Sequence, residues 1–304
     1  RGPAGCPEAI YTGVDTTSMR DRIVVLGRPS SGKSVYLSVL YQQLWDSPGD
    51  FTMRAADGIT HAALLRDFSS LLEGRWLAAT QALRQMELEL IYRNKRIPFT
   101  MLDYPGELYR RMFFEKRVDS PEMEVLYEHL SRALGVILLI DPRDVVDGGE
   151  AQLDTEYAAI QVVEHFASQF NSDSLPLVLV LTKRDENQDL IQRSGGLAGF
   201  VRKYMPRLWK LLNGVPIVHL SAVRTVPTDD KNSRVPWLPS SDEQVVIPIR
   251  MILNRLEANS APRPSQLEQK WHTLRMRYWQ PVLSVLVGVF LFLFFFVVGV
   301  WVAS

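Results

Sequence analysis

The sequence predicts an α/β fold with a doubly wound, mostly parallel sheet, one antiparallel edge strand and a single C-terminal transmembrane helix. Short apolar runs at 22–26, 135–140 and 176–181 alternate with helical patterns, which is typical of parallel strands that are covered on both faces. The segment 86–92 alternates apolar and charged residues and is followed by a second strand at 97–102. That pattern predicts a hairpin whose first strand is the antiparallel edge strand.

The other predicted elements follow from apolar spacing, capping residues and breakers. Helices are expected at 33–45, 59–72, 122–134, 150–170, 199–212 and 242–256. The last strand of the sheet is expected at 217–220, and the Pro-, Asp- and Ser-rich stretch 224–240 is expected to be a long loop.

Composition excludes several classes of function. The 304 residues include 34 basic and 34 acidic side chains, and this balance argues against nucleic acid as a partner. Cys6 is the only cysteine, so the sequence allows neither an internal disulfide nor a cysteine-based zinc site. The five histidines show no metal-binding spacing.

The chain divides by composition into four parts. Residues 1–20 are predicted to be a flexible lead-in, and 21–257 the folded domain. Residues 258–280 are predicted to form a linker and a juxtamembrane helix, and 281–303 the transmembrane helix.

The sequence GRPSSGKS, from Gly27 to Ser34, follows an apolar strand and precedes a helix. This arrangement is typical of a phosphate-binding loop, in which glycines let successive backbone N–H groups point at the phosphates. We expect Lys33 to reach the β- and γ-phosphates and the Ser34 hydroxyl to bind Mg²⁺. The expected nucleotide contacts are therefore Gly27, Ser30, Ser31, Gly32, Lys33 and Ser34.

A second site segment is LDYPGE, which ends the 97–102 strand. Asp103 is expected to hold a Mg²⁺-bound water at the carboxyl end of that strand, and Gly106 to approach the γ-phosphate. Glu107 follows Gly106 directly and is a further candidate site residue. Asp141 also follows an apolar strand and could take the place of Asp103 as the carboxylate beside the metal ion. A P-loop ATPase that uses Asp141 is therefore an alternative interpretation.

Two further segments predict a guanine-binding site. TKRD follows the 176–181 strand, and Asp185 can accept two hydrogen bonds from the N1–H and N2 amino groups of guanine. Lys183 is expected to lie along the base, and Thr182 to brace the turn. In HLSAV, the Ala222 N–H is a donor for guanine O6, and Ser221 is expected to shape the turn.

The order GRPSSGKS, DYPG, TKRD and SA resembles the Ras-like P-loop GTPases of the TRAFAC class, from Arg22 to about Leu256. The long gap before DYPG, the Gly74-Arg75-Trp76 sequence, GKSVYLSVLY and LLIDPRD narrow the resemblance to the prokaryotic double-GTPase family. The resemblance implies a first switch whose threonine binds Mg²⁺, for which Thr80 is the candidate. It also implies a second switch around Pro105–Arg111.

The C-terminal segment 282–302 consists almost entirely of Val, Leu, Phe and Gly. Its length matches the roughly 30 Å of a bilayer core, and Trp279 and Trp301 stand where interfacial aromatic residues are found. Basic residues before the segment predict a single-pass membrane protein with its GTPase domain on the cytoplasmic side.

These observations predict a membrane-anchored protein that binds GTP or GDP with Mg²⁺, hydrolyses GTP slowly with Lys33 and Glu107 as catalytic residues, and signals to a protein effector. One alternative is a scaffold that binds GTP without turnover. The resemblance implies a glutamine that orients the attacking water at the position of Glu107, and a glutamate cannot donate a hydrogen bond as that glutamine would. The other is a membrane-anchored P-loop ATPase that uses Asp141.

Overall fold

A seven-stranded sheet carries the segments singled out above. The computed structural model describes residues 21–45, 50–78, 84–93, 95–103, 121–146, 148–167, 175–228, 234–237 and 243–260. Across the sheet the strands run in the order β2-β3-β4-β1-β5-β6-β7. They are β1 (Arg22–Gly27), β2 (Phe51–Ala55), β3 (Arg84–Tyr92), β4 (Lys95–Asp103), β5 (Ala133–Ile140), β6 (Leu177–Leu181) and β7 (Ile217–His219).

Helices cover the sheet on both faces. On one face lie α3 (Pro121–Ser131), α4 (Pro142–Val146), α5 (Gly149–Ala167), α6 (Arg184–Arg193), α7 (Gly196–Tyr204) and α8 (Pro206–Leu211). On the other lie α1 (Lys33–Leu44), α2 (Gly58–Leu72) and α9 (Ile247–Ser260), the last preceded by a 3-10 turn at Glu243–Val246.

The central strand shows why the sequence pattern there is continuously apolar. In β1, Val24 and Leu26 pack into the core under α3–α8, whereas Ile23 and Val25 pack into the core under α1, α2 and α9. A strand that is buried on both faces needs apolar residues at every position. The doubly wound, mostly parallel sheet predicted from the sequence is therefore present, with β4 and β5 parallel to β1 on either side.

The position of the antiparallel strand was predicted wrongly. β3 is antiparallel to both of its neighbours, β4 and β2, so β3 lies inside the sheet and β2 forms the edge. β2 was missed because it has only five residues, of which Phe51 and Met53 alternate into the core while Arg54 is exposed. Too few residues were available for the two-residue period to be recognised.

Two predictions between β6 and the end of the domain were also wrong. The helix expected at 199–212 is two helices, because Pro206 begins α8 and disfavours helical backbone at the residue before it. The long loop expected at 224–240 contains a second, two-stranded sheet formed by β8 (Arg224–Pro227) and β9 (Arg234–Trp237). We call these two strands the distal hairpin.

The C-terminal anchor remains a prediction. No helix within the described ranges is long and apolar enough to cross a membrane. The predicted segment 281–303 lies outside those ranges, as do the lead-in 1–20 and the linker beyond residue 260.

Candidate nucleotide site

The predicted phosphate loop joins the carboxyl end of β1 to the start of α1. Ser30 and Gly32 both have positive φ angles, 64° and 87°. Alternation of left- and right-handed backbone turns successive N–H groups toward one side, which forms an anion-binding nest. Lys33 is the first residue of α1, so the positive end of the helix dipole faces the same side.

The two glycines of the loop are required for different reasons. A Cβ atom on Gly27 would lie 2.6 Å from both the Leu139 carbonyl oxygen and the Ser31 Oγ, so any side chain there would force the loop away from β5. A Cβ on Gly32 would meet no atom of the described residues within 4 Å. At Gly32 it is the positive φ angle that favours glycine.

Lys33 and Ser31 present polar groups inside the loop. Lys33 is 3% exposed, and its ammonium group donates to the carbonyl oxygens of Gly27 and Arg28, both at 3.0 Å. The Ser31 hydroxyl is buried, and it has no hydrogen-bond partner among the residues that the structure describes. A buried hydroxyl without a partner costs free energy, and a phosphate oxygen is a strong acceptor that would satisfy it.

The base-reading segment begins at the carboxyl end of β6. The Thr182 N–H donates to the Ile140 carbonyl oxygen at 2.9 Å, which fixes the turn against β5. Lys183 has left-handed backbone, with a φ angle of 55°, and precedes α6. Its ammonium nitrogen lies 2.6 Å from Asp141 Oδ2. Asp141 is therefore paired with the base-reading segment.

Asp185 is exposed and its carboxylate is held in place. The Ser221 hydroxyl donates to Asp185 Oδ1 at 2.6 Å and accepts from the Asp185 N–H at 2.9 Å. The Thr225 N–H and hydroxyl both donate to Asp185 Oδ2, at 2.7 and 3.1 Å. The first contact agrees with the turn-shaping role expected of Ser221, whereas Thr225 was not predicted because its segment was taken for a loop.

One cavity of about 400 Å³ brings these segments together. Its volume falls within the roughly 300–1,000 Å³ typical of small-molecule sites. Ten of the predicted nucleotide-site residues line the cavity: Ser30, Ser31, Gly32, Lys33, Ser34, Thr182, Lys183, Asp185, Ser221 and Ala222. Gly27 ends β1 at the start of the loop.

The structure also adds residues to the cavity that the sequence did not indicate. Trp76, Leu77 and Ala78, which follow α2, form part of the wall, and Thr225 lines it from the distal hairpin. The Trp76 indole N–H donates to the Arg234 carbonyl oxygen at 2.9 Å, so these two parts of the wall are joined. In the sequence Trp76 contributes only to the family resemblance, because a single tryptophan carries no signal for a binding site.

Other predicted site residues are described only in part or not at all. Asp103 ends β4, and it lies two residues beyond Met101, which pairs with Val25 of β1. The Asp103 backbone is therefore at the same edge of the sheet as Gly27, as expected. Thr80, Gly106 and Glu107 lie outside the described residues.

The metal-binding prediction rests on oxygen donors. Ser34 lines the cavity one residue after Lys33, where its hydroxyl chemistry suits Mg²⁺. Among the residues that the structure describes, no group of three or more His, Cys, Asp or Glu side chains is arranged to hold a metal ion. Mg²⁺ at nucleotide sites commonly uses one or two protein ligands together with phosphates and waters, so the donor set expected here remains a suitable one.

Two comparisons with known proteins were informative. No curated protein matches the chain, but a family model does. The family model described as Double-GTPase 2 matches residues 21–207, which is more than half of the chain and includes the phosphate loop and TKRD. The chain therefore belongs to the double-GTPase 2 family of P-loop GTPases.

Proposed function

We propose that this protein binds GTP and GDP with Mg²⁺, hydrolyses GTP slowly and acts as a nucleotide-dependent switch. The observation that carries the proposal is the shared cavity, which is lined by the phosphate loop and by Asp185 with its supporting residues. One part of that cavity offers an anion-binding nest and an ammonium group, and another offers a fixed carboxylate. A guanine nucleotide presents the complementary groups.

The chemistry assigned to the chain is mainly positioning and charge stabilisation. The Lys33 ammonium group would exchange its two carbonyl contacts for the β- and γ-phosphate oxygens and stabilise the charge that develops on them. The nest would orient the phosphates for in-line attack by water, which Glu107 would help to position. Mg²⁺, held by Ser34, Thr80 and a water on Asp103, would supply further charge neutralisation.

The competing ATPase interpretation is less well supported. The Asp141 carboxylate is paired with Lys183 at 2.6 Å and also accepts a hydrogen bond from the Arg143 N–H at 3.0 Å. The first contact ties Asp141 to the base-reading segment and the second ties it to the start of α4, and the family match favours GTP. We therefore assign Asp141 to positioning Lys183.

The switch and the membrane anchor belong to the same proposal. The Trp76–Ala78 segment contacts the cavity just before Thr80, so a change at the γ-phosphate could be passed from Thr80 to an effector surface. The support for anchoring is the apolar composition of 282–302, with the basic residues before it favouring a cytoplasmic GTPase domain.

Single-turnover hydrolysis tests the enzymatic part. Full-length protein in excess over labelled GTP and Mg²⁺ is expected to release phosphate faster than buffer does, and Lys33→Ala is expected to lose most of that rate. Tight GTP binding with phosphate release no faster than in buffer would instead support the scaffold, which remains the alternative because of Glu107.

A further inference from the structure

The distal hairpin contacts the carboxylate proposed to read the base. Thr225 of β8 stands opposite Pro236 of β9. Pro236 has no N–H, and the Thr225 N–H donates to Asp185, so these two residues form a pair without hydrogen bonds between the strands. The Thr225 N–H therefore points away from β9 and is available to the Asp185 carboxylate.

Two elements hold the two oxygens of Asp185 separately. Ser221, after β7, donates to Oδ1, and Thr225, in the distal hairpin, donates to Oδ2. The χ2 torsion of an aspartate is broad, so a single contact would leave the carboxylate plane able to rotate. Contacts on both oxygens fix that plane.

The distal hairpin is itself supported from two sides. The Arg234 carbonyl oxygen accepts from the Trp76 indole N–H at 2.9 Å. The Arg234 guanidinium lies 3.9 Å from Glu186 Oε1, and Glu186 Oε2 lies 2.6 Å from the Arg143 guanidinium. These contacts hold β9 beside α6 and thereby hold Thr225 over Asp185.

We propose that Thr225 is a specificity-determining positioning residue, which fixes the Asp185 carboxylate so that it accepts the N1–H and N2 amino groups of guanine together. This inference rests on the proposed function, since it concerns the same site. The family match ends at residue 207, before both Ser221 and Thr225.

The Asp185 carboxylate can accept hydrogen bonds from Ser221, Thr225 and guanine at the same time. A carboxylate offers about four acceptor sites, two on each oxygen. Ser221 uses one site on Oδ1 and the Thr225 N–H uses one on Oδ2. The Thr225 hydroxyl makes the longest of these bonds, 3.1 Å, and its rotation leaves one site on each oxygen for guanine.

Thr225→Pro provides the sharpest test, because it removes both donors to Oδ2 at a position where the hairpin ladder needs no N–H. Affinities of the full chain are measured for guanosine and inosine diphosphates, since hypoxanthine lacks the N2 amino group. We expect Thr225→Pro to bind the guanosine nucleotide about tenfold or more weakly, as for one lost hydrogen bond to a charged group. The preference for guanosine over inosine should fall as well.

Thr225→Val is the matched control, because it keeps the N–H and should lose less affinity than the proline variant. Equal losses for the guanosine and inosine nucleotides, or wild-type affinity in Thr225→Pro, would overturn the inference. Failure of the wild-type chain to bind guanosine diphosphate would instead refute the proposed function.

A second measurement applies if Thr225→Pro does not fold. In threonine-labelled protein, hydrogen exchange at the Thr225 amide should be slow in the wild-type chain and at least about tenfold faster in Asp185→Ala. An unchanged exchange rate would show that the Thr225 N–H does not depend on Asp185, and the inference would fail.

Discussion

Lys183 and Asp141 form an ion pair, with 2.6 Å between the ammonium nitrogen and Oδ2, that joins the end of β5 to the start of α6. Asp141 is buried, and its other carboxylate oxygen accepts from the Arg143 N–H. The pair holds a lysine with left-handed backbone at the wall of the cavity. It also gives Asp141 a structural task that differs from binding a metal ion.

Asp141→Asn should therefore weaken guanine nucleotide binding without changing its dependence on Mg²⁺. The amide keeps an acceptor for Arg143 but loses the charge that holds Lys183, so we expect affinity for GDP to fall by about three- to tenfold. Titration with and without Mg²⁺ measures both effects, and Asp189→Asn, an exposed position on α6, controls for the change of charge. If Asp141→Asn bound GDP with wild-type affinity but no longer responded to Mg²⁺, Asp141 would instead be a ligand of the metal ion.

Gly27→Ala should damage the phosphate loop through a steric clash. The added Cβ would lie 2.6 Å from the Leu139 carbonyl oxygen and from Ser31 Oγ, and the backbone of β5 cannot yield easily. We expect the free energy of unfolding to fall by about 1–3 kcal/mol and nucleotide affinity to fall with it.

Gly58→Ala provides the comparison for this substitution, because within the described parts of the chain a Cβ there meets no atom closer than 4 Å. Its stability should stay within about 0.5 kcal/mol of the wild-type value in urea unfolding. If the two variants unfold alike and bind nucleotide alike, the close approach at Gly27 is not a constraint.

Acidification should destabilise the domain through two histidines. Burial, reinforced by Arg22, lowers the pKa of His129, and the Arg22 guanidinium donates to His129 Nδ1 at 2.8 Å. Burial, reinforced by Arg184, lowers the pKa of His219 to about 4. Below a pH of about 6.5, these histidines are protonated in the unfolded chain but stay neutral in the folded chain. The free energy of unfolding therefore falls as the pH falls toward 4.

Urea unfolding between about pH 7 and about pH 5 measures this loss. Each histidine can contribute at most about 1.4 kcal/mol per pH unit, and His219 contributes less because it is partly exposed. His219→Asn should give a shallower dependence on pH than the wild-type chain. Parallel curves for the two proteins would show that His219 does not take part.

The sequence identified the parts of the site whose signals are local. Gly27, Gly32 and Lys33 belong to one short motif between a buried strand and a helix, which identifies them without knowledge of the fold, although the close approach of Gly27 to Leu139 appears only in the structure. Asp185 was identified in the same way, from a motif at the end of an apolar strand. Their presence in one cavity followed from the parallel sheet, which brings strand ends to one edge.

Two elements were not predicted, α6 and the distal hairpin, and the reasons differ. α6 is mostly charged and polar, with only Asn187 and Ile191 buried, so its sequence shows little helical periodicity. The distal hairpin has four-residue strands in a segment rich in Pro and Asp, and its place is set by Asp185 and Trp76. Strands this short are stabilised by tertiary contacts rather than by their own pattern.

The central claim is that the phosphate loop and Asp185 bind one guanine nucleotide. Titration of the full wild-type chain and of Asp185→Asn with guanosine, adenosine and xanthosine diphosphates tests it most directly. We expect the wild-type chain to prefer guanosine over adenosine. Asp185→Asn should lose about 10- to 100-fold in guanosine affinity and gain affinity for xanthosine, because an asparagine amide donates to the xanthine oxygen that replaces the N2 amino group. Equal wild-type affinity for guanosine and adenosine, or an unchanged guanosine preference in Asp185→Asn, would contradict the account.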